Sequence, residues 1–80
     1  MAQQELVAFG LAVRQQRGRL ALSQEELAER SNLHRTYISG VERGQRNIGL
    51  LNVHKVAAAL GVSASDLLAS AEVFRRKGRR

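Results

Sequence analysis

The sequence predicts an all-α fold, a compact five-helix bundle around one modest core, and three observations carry that expectation. Apolar residues recur at helical rather than alternating spacing. Two stretches, Leu22 to Leu27 and Val62 to Leu67, each carry the signature of a helix start, and Gly44 and Gly61 stand where helices need to stop. At 80 residues the chain has room for one domain only, and bundled helices are an economical way for it to bury apolar surface. It contains no Cys, and His34 and His54 alone do not make a structural zinc site, so packing must supply the stability.

Taken in order, Leu6, Phe9, Val13 and Leu20 form a helical stripe with Arg14, Arg17 and Arg19 between them. They predict an amphipathic first helix from about Gln4 to Arg19, with Gln16 interrupting the stripe. Ser23 and Glu26 make a capping box, and Leu22 can staple to Leu27, so a second helix starts at Gln24. It runs only to about Arg30, because Ser31-Asn32-Leu33 breaks the pattern and Asn tolerates the left-handed conformation. A third helix is expected from Arg35 to Arg43, ended by Gly44, with His34 as a poor cap. After a polar loop, Leu50, Val53, Ala57 and Leu60 mark a fourth helix stopped by Gly61. Ser63 and Asp66 then repeat the capping signature, with Val62 stapled to Leu67, for a short fifth helix ending near Phe74. The reading divides the chain into one domain over residues 1–74 and a basic tail over 75–80, where no apolar residue offers an anchor and disorder is expected.

The second and third helices together have a specific spacing. Counting from Gln24, Ala28 is fifth, Asn32 ninth, Leu33 tenth, Ile38 fifteenth and Val41 eighteenth, which suits a helix-turn-helix. Ala28 is small where the helices cross, Asn32 makes the turn, and Leu33, Ile38 and Val41 point inward. Arg35, Thr36, Ser39 and Gly40 are then on the outer side or near the amino end of the third helix, the part that enters a DNA major groove. Arg35 suits a guanine edge, Thr36 and Ser39 suit a base edge or the thymine methyl, and Gly40 suits close approach to DNA. An ordinary solvated face is the competing reading. Phosphate contacts are expected from Gln24, Tyr37, Arg43, Gln45, Arg46 and Asn47. For Tyr37 a half-buried packing role stands equally open. Arg17 and Glu42 are expected to pair internally and tie the first helix to the third. His34 offers pH-dependent contact with phosphate or plain exposure, and His54 is expected to face solvent.

Three segments, Leu22 to Arg30 (LSQEELAER), Arg35 to Asn47 (RTYISGVERGQRN) and Leu60 to Leu68 (LGVSASDLL), resemble the phage repressor and Cro type (XRE) of helix-turn-helix regulators over about Phe9 to Leu68. Within that family, the Arg-Thr-Tyr-Ile-Ser run followed by Glu-Arg-Gly and Arg-Asn looks most like the controller proteins of restriction-modification systems. The resemblance implies a lambda-repressor-like five-helix domain that dimerises through its last helices, binds inverted-repeat operators and both activates and represses, with RNA polymerase as a further partner. It carries base reading onto Arg35, Thr36 and Ser39, phosphate binding onto Gln24, Tyr37, Arg43, Arg46 and Asn47, and an ion pair onto Arg17 and Glu42. His34, Gln16 and the basic tail depart from the family pattern.

Net charge is +6, yet Arg75, Arg76, Lys77, Arg79 and Arg80 hold five of the thirteen basic residues, so the body is nearly balanced and charge alone says little about nucleic acid. The tail is expected to add weak sequence-independent affinity for phosphate. Leu51, Leu68, Val73 and Phe74 exceed the needs of two short helices, and a homodimer seam is preferred over a thick core. A symmetric dimer doubles the base pairs read, with half-sites about 34 Å apart. The absence of a secretory pattern and of any long apolar run predicts a cytoplasmic protein with no membrane contact. No Cys nucleophile, phosphate-cradling Gly-rich loop, metal-ligand cluster or Ser-His-acid set is evident, so neither an enzyme nor a cofactor is expected. The expected partner is double-stranded DNA. Competing readings are an antitoxin that grips a second protein with its tail, and a protein-interaction module on the same fold.

Overall fold

The structure is a computed structural model that describes residues 3–78. The chain is all-α, with α1 (Gln4–Arg19), α2 (Gln24–Ser31), α3 (Arg35–Glu42), α4 (Leu50–Ala59) and α5 (Ala64–Lys77) in the predicted order. Each helix contributes to one core, whose largest fully buried side chains are Val13 from α1, Leu27 from α2, Ile38 and Val41 from α3, Val56 from α4 and Leu67 from α5. Helix α3 packs between α1 and α2, while α5 folds back along α1 and meets the end of α4.

Local chemistry sets the helix ends. At the start of α2 the Ser23 hydroxyl accepts the Glu26 amide at 3.0 Å and the Glu26 carboxylate accepts the Ser23 amide at 2.8 Å, closing the capping box. The Ser23 amide first, and the Ser23 hydroxyl beside it, hold the Glu26 carboxyl below its ordinary pKa, since hydrogen bonds donated to a carboxylate favour the ionised form. The same helix ends with Ser31 buried and its hydroxyl donating to the Leu27 carbonyl at 2.7 Å, after which Asn32 takes the left-handed conformation at φ 58°. Gly44 stands at φ 71° after α3, in the left-handed region that glycine enters without a side-chain penalty.

Four details differ from the sequence expectation. Leu20 is 47% exposed and Leu6 half-buried, and Ala8, Ala12 and Gly10 take the inner positions beside Phe9 and Val13. Leu20 lies beyond the last turn of α1, where Ala21 swings the chain away at φ 54°. Leu50 is 70% exposed at the first position of α4, and Val56 joins Val53, Ala57 and Leu60 in the buried stripe instead. Helix α5 runs to Lys77 rather than stopping near Phe74. Arg75 donates twice to Glu72, three residues back, at 2.9 and 2.8 Å, and basic residues in a last turn complement the helix dipole. Arg75 to Lys77 are therefore helical, and Arg79 and Arg80 lie outside the described residues. Among the described residues no single helix is long and apolar enough to cross a membrane.

Candidate nucleic-acid interface

The helix-turn-helix is assembled by a few short contacts. In the turn, the Leu33 amide bonds to the Ala28 carbonyl at 2.9 Å, which closes α2 against the entry to α3. Ala28, Ile38 and Val41 are buried and Leu33 packs partly into the core. Arg35 and Thr36, in the first turn of α3, point to solvent. His34 precedes them as an exposed cap residue whose side chain makes no cap bond, so the first turn keeps amides free at the positive end of the helix dipole.

Behind this face Glu42 gathers three elements. Arg17 of α1 donates to both its carboxylate oxygens, from Nε at 2.7 Å and from Nη2 at 2.9 Å, and Nη1 of the same guanidinium donates to the Leu22 carbonyl at 2.8 Å. Gln24 Nε2, at the start of α2, donates to Glu42 Oε1 at 3.0 Å. The Glu42 side chain is only 4% exposed, and its hydrogen bond to Arg17 holds the guanidinium pKa above its ordinary value. A bidentate pair of this kind fixes direction as well as distance, so α3 is locked in rotation against α1 and α2.

The flank after α3 is also organised. Tyr37 is half-buried against the core, and its hydroxyl accepts from Asn52 Nδ2 of α4 at 3.2 Å. Arg46 lies over the Tyr37 ring, 5.6 Å from its centroid, in the geometry of a cation–π contact. Its stem covers Gly40, where an added Cβ would stand 2.8 Å from Arg46 Cγ. Gly40 is thus buried beneath the Arg46 side chain rather than outward-facing. Arg43 donates to the Ser39 hydroxyl and, from Nε, to Gln45 Oε1 at 3.1 Å. Asn47 is exposed.

Residues 13–67 match the Helix-turn-helix family. The control protein C.BamHI of Bacillus amyloliquefaciens is 54% identical over 61 residues, which cover 75% of this chain and 75% of that protein. The chain belongs to the XRE-type helix-turn-helix family. Two further comparisons fall within the controller branch of these regulators. The control protein C.MunI of a Mycoplasma species is 45% identical over 51 residues, covering 64% of this chain and 69% of that one. The crystal structure of the restriction-modification controller protein C.AhdI from Aeromonas hydrophila superposes with a TM-score of 0.80 at 48% identity, over 81% of this chain and 98% of that one. The protein is therefore a helix-turn-helix transcriptional regulator of the restriction-modification controller type.

In this regulator the sequence-predicted residues do not all stand in one arrangement. Arg35 and Thr36 are free and exposed, Ser39 and Arg43 are engaged with each other, and Gln24 is turned inward onto Glu42. Leu51, Leu68 and Val73 lie outside the core, at 78%, 48% and 45% exposure. Phe74 packs against the core and, with Val7 and Leu11, lines a cavity of about 250 Å³ between α1 and α5. Sequence reasoning missed Asn52, which joins α4 to α3, and a polar residue set between the apolar Leu51 and Val53 is the signal that pointed to it. Among the described residues no cluster of His, Cys, Asp or Glu is arranged to hold a metal ion.

Proposed function

We propose that this regulator binds an inverted-repeat operator as a homodimer, with α3 in the major groove of each half-site, and controls restriction-modification genes. The observation that carries the reading is the exposed first turn of α3, Arg35 and Thr36, on a helix whose opposite side is fixed by Ile38, Val41 and the Arg17–Glu42 pair. A guanidinium in that position suits the two acceptors of guanine, and Thr36 with Ser39 suits the neighbouring pairs. Arg46, Asn47, Tyr37 and Gln24 flank the helix on both sides and suit the phosphate rails, with Gln24 exchanging its bond to Glu42 for one to phosphate.

The dimer seam is assigned to Leu51, Leu68, Val73 and the rim of Phe74, and the exposed Leu50 extends it. Burying these side chains removes apolar surface that a lone domain leaves in water. The domain measures 36 × 24 × 22 Å, a size that lets two abutting copies present their recognition helices about one DNA turn apart, roughly 34 Å.

Selection of bound duplexes from a random pool, by the wild type and by Arg35→Ala, tests the reading. An enriched inverted repeat is expected, relaxed at one symmetric base pair in the variant with a loss of about 1–3 kcal/mol per contact. A pool that yields no enriched sequence under conditions where the protein is folded overturns it.

A further inference from the structure

Ser39 is partly exposed on the outer side of α3, and its hydroxyl is already engaged. Arg43, one turn further on, donates to Ser39 Oγ from one end of its guanidinium, while Nε of the same group donates to Gln45 Oε1 at 3.1 Å. The left-handed Gly44 turns the chain so that Gln45 comes back alongside Arg43 and provides this second anchor. Both bonds lie at the surface, and together they orient the planar guanidinium toward Ser39. A serine hydroxyl has one hydrogen to give and two lone pairs to accept with. Here a cation occupies one of the two lone pairs, which leaves the hydrogen directed away from Arg43 and strengthens it as a donor. An amino group approaching Ser39 from a base edge meets both a depleted acceptor and a positive charge.

We propose that Arg43 is a positioning residue that restricts Ser39 to donating, so that Ser39 selects a base with an acceptor edge and rejects the amino group of cytosine. The acceptors concerned are guanine N7 and O6, adenine N7 and thymine O4. This inference rests on α3 reading operator DNA as proposed above. It assigns Arg43 and Gln45 to sequence preference and removes them from the phosphate contacts. Specificity at that base pair is then set two shells deep: Gln45 holds Arg43, and Arg43 sets what Ser39 reads.

The test measures equilibrium binding across a salt series for the wild type, Ser39→Ala, Arg43→Gln and the double variant, each checked for folding by circular dichroism. Two duplexes are used: the selected operator, and the same duplex altered to cytosine at the pair whose preference relaxes in Ser39→Ala. The wild type is expected to prefer the selected duplex by roughly five- to tenfold, a value for a single hydrogen bond to a base. Both single variants lose that preference, the double variant loses no more than either, and Arg43→Gln leaves the slope of log K against log salt unchanged. Retained preference with a slope reduced by about one marks Arg43 as a phosphate contact and overturns the inference. So do additive losses in the double variant, or a Ser39→Ala variant that relaxes no position. Failure of the wild type to select any duplex sinks the operator reading itself. That result is distinct from a selected operator indifferent to Arg43.

Discussion

Gly10→Ala offers a sharp test of how α3 is seated, because the local and tertiary effects of this substitution have opposite signs. Gly10 lies where α1 crosses the end of α3, and a Cβ there would fall against the Val41 carbonyl oxygen, 2.5 Å from that of Glu42 and 2.8 Å from the Glu42 carbonyl carbon. Carbon–oxygen contacts settle at roughly 3.3–3.6 Å, so the two helices must part by about 1 Å. The obstacle is backbone, and no change of rotamer relieves it. Alanine's better helix propensity favours the variant by about 1 kcal/mol. Overpacking costs about 1–3 kcal/mol, and the upper value applies where Val41 and the Arg17–Glu42 pair are levered apart together. The expected net loss is about 2 kcal/mol, which in a domain of this size lowers Tm by roughly 8–16 °C. Gly18, on the same helix with nothing within 4 Å of an added Cβ, is the control: Gly18→Ala expresses the propensity gain and melts higher than the wild type. Melting curves by far-ultraviolet circular dichroism at one fixed protein concentration measure both, since association makes Tm depend on concentration. A Gly10→Ala protein that melts at or above the wild type would refute this account of the α1–α3 crossing.

Three further outcomes are expected. Ala21 holds a left-handed φ of 54° that costs an L-residue about 1–2 kcal/mol, so Ala21→Gly should raise the urea midpoint by about 1 kcal/mol of stability at unchanged m; a lower midpoint counts against strain there. Glu42→Gln leaves the Arg17 guanidinium without its bidentate partner in a largely buried site and should cost about 3 kcal/mol, near the low end for a broken pair because the Leu22 carbonyl still accepts from Arg17; a loss under about 1 kcal/mol contradicts the role given to the pair. Because Glu26 titrates below its ordinary pKa in the folded state, its contribution is present above the ordinary carboxylate range and is lost as pH falls through the folded value. The Tm difference between wild type and Glu26→Gln should therefore be positive at neutral pH and vanish in acid, and a pH-independent difference would show that the capping carboxylate is not ionised in the way described.

Much of the fold was legible because its signals are local. The capping box at Ser23, the left-handed Asn32 and the glycine stops at 44 and 61 act within four or five residues, and the helix ends they mark lie within about a residue of where they place them. The spacing from Ala28 to Val41 was legible for a related reason, since a two-helix unit of fixed crossing constrains side-chain size position by position. What escaped was set by packing across elements. Small residues at 8, 10 and 12 bury because α3 and α5 come close to α1, and no periodicity of large apolar residues reports that. Gly40 looked like an invitation to a ligand, because the sequence does not reveal that Arg46 returns from the loop to lie on it. The end of α5 was misplaced because an ion pair three residues apart and a favourable dipole carry a helix beyond its last apolar residue.

Helix α3 itself has weak local credentials, which bears on how the site can change. Helix α3 spans 8 residues, contains an internal glycine and lacks a side-chain cap, whereas isolated helices shorter than about 12–15 residues are marginal in water. Tertiary contacts therefore hold it: Ile38 and Val41 in the core, Glu42 through Arg17 and Gln24, and Tyr37 through Asn52. None of these contacts involves Arg35 or Thr36, which are exposed on the opposite side. Stability and the proposed recognition are thus separated on one short helix, and substitutions on the two sides should behave differently. Arg35→Ala and Thr36→Ala are expected to change unfolding free energy by no more than about 0.5 kcal/mol, as surface substitutions do. Ile38→Ala is expected to cost about 2–5 kcal/mol by leaving a cavity among fully buried side chains. Urea unfolding of the three variants separates the cases. If Arg35→Ala destabilises the domain as much as Ile38→Ala does, the outer face is part of what holds α3 in place, and a change in its DNA preference could no longer be assigned to contact with a base.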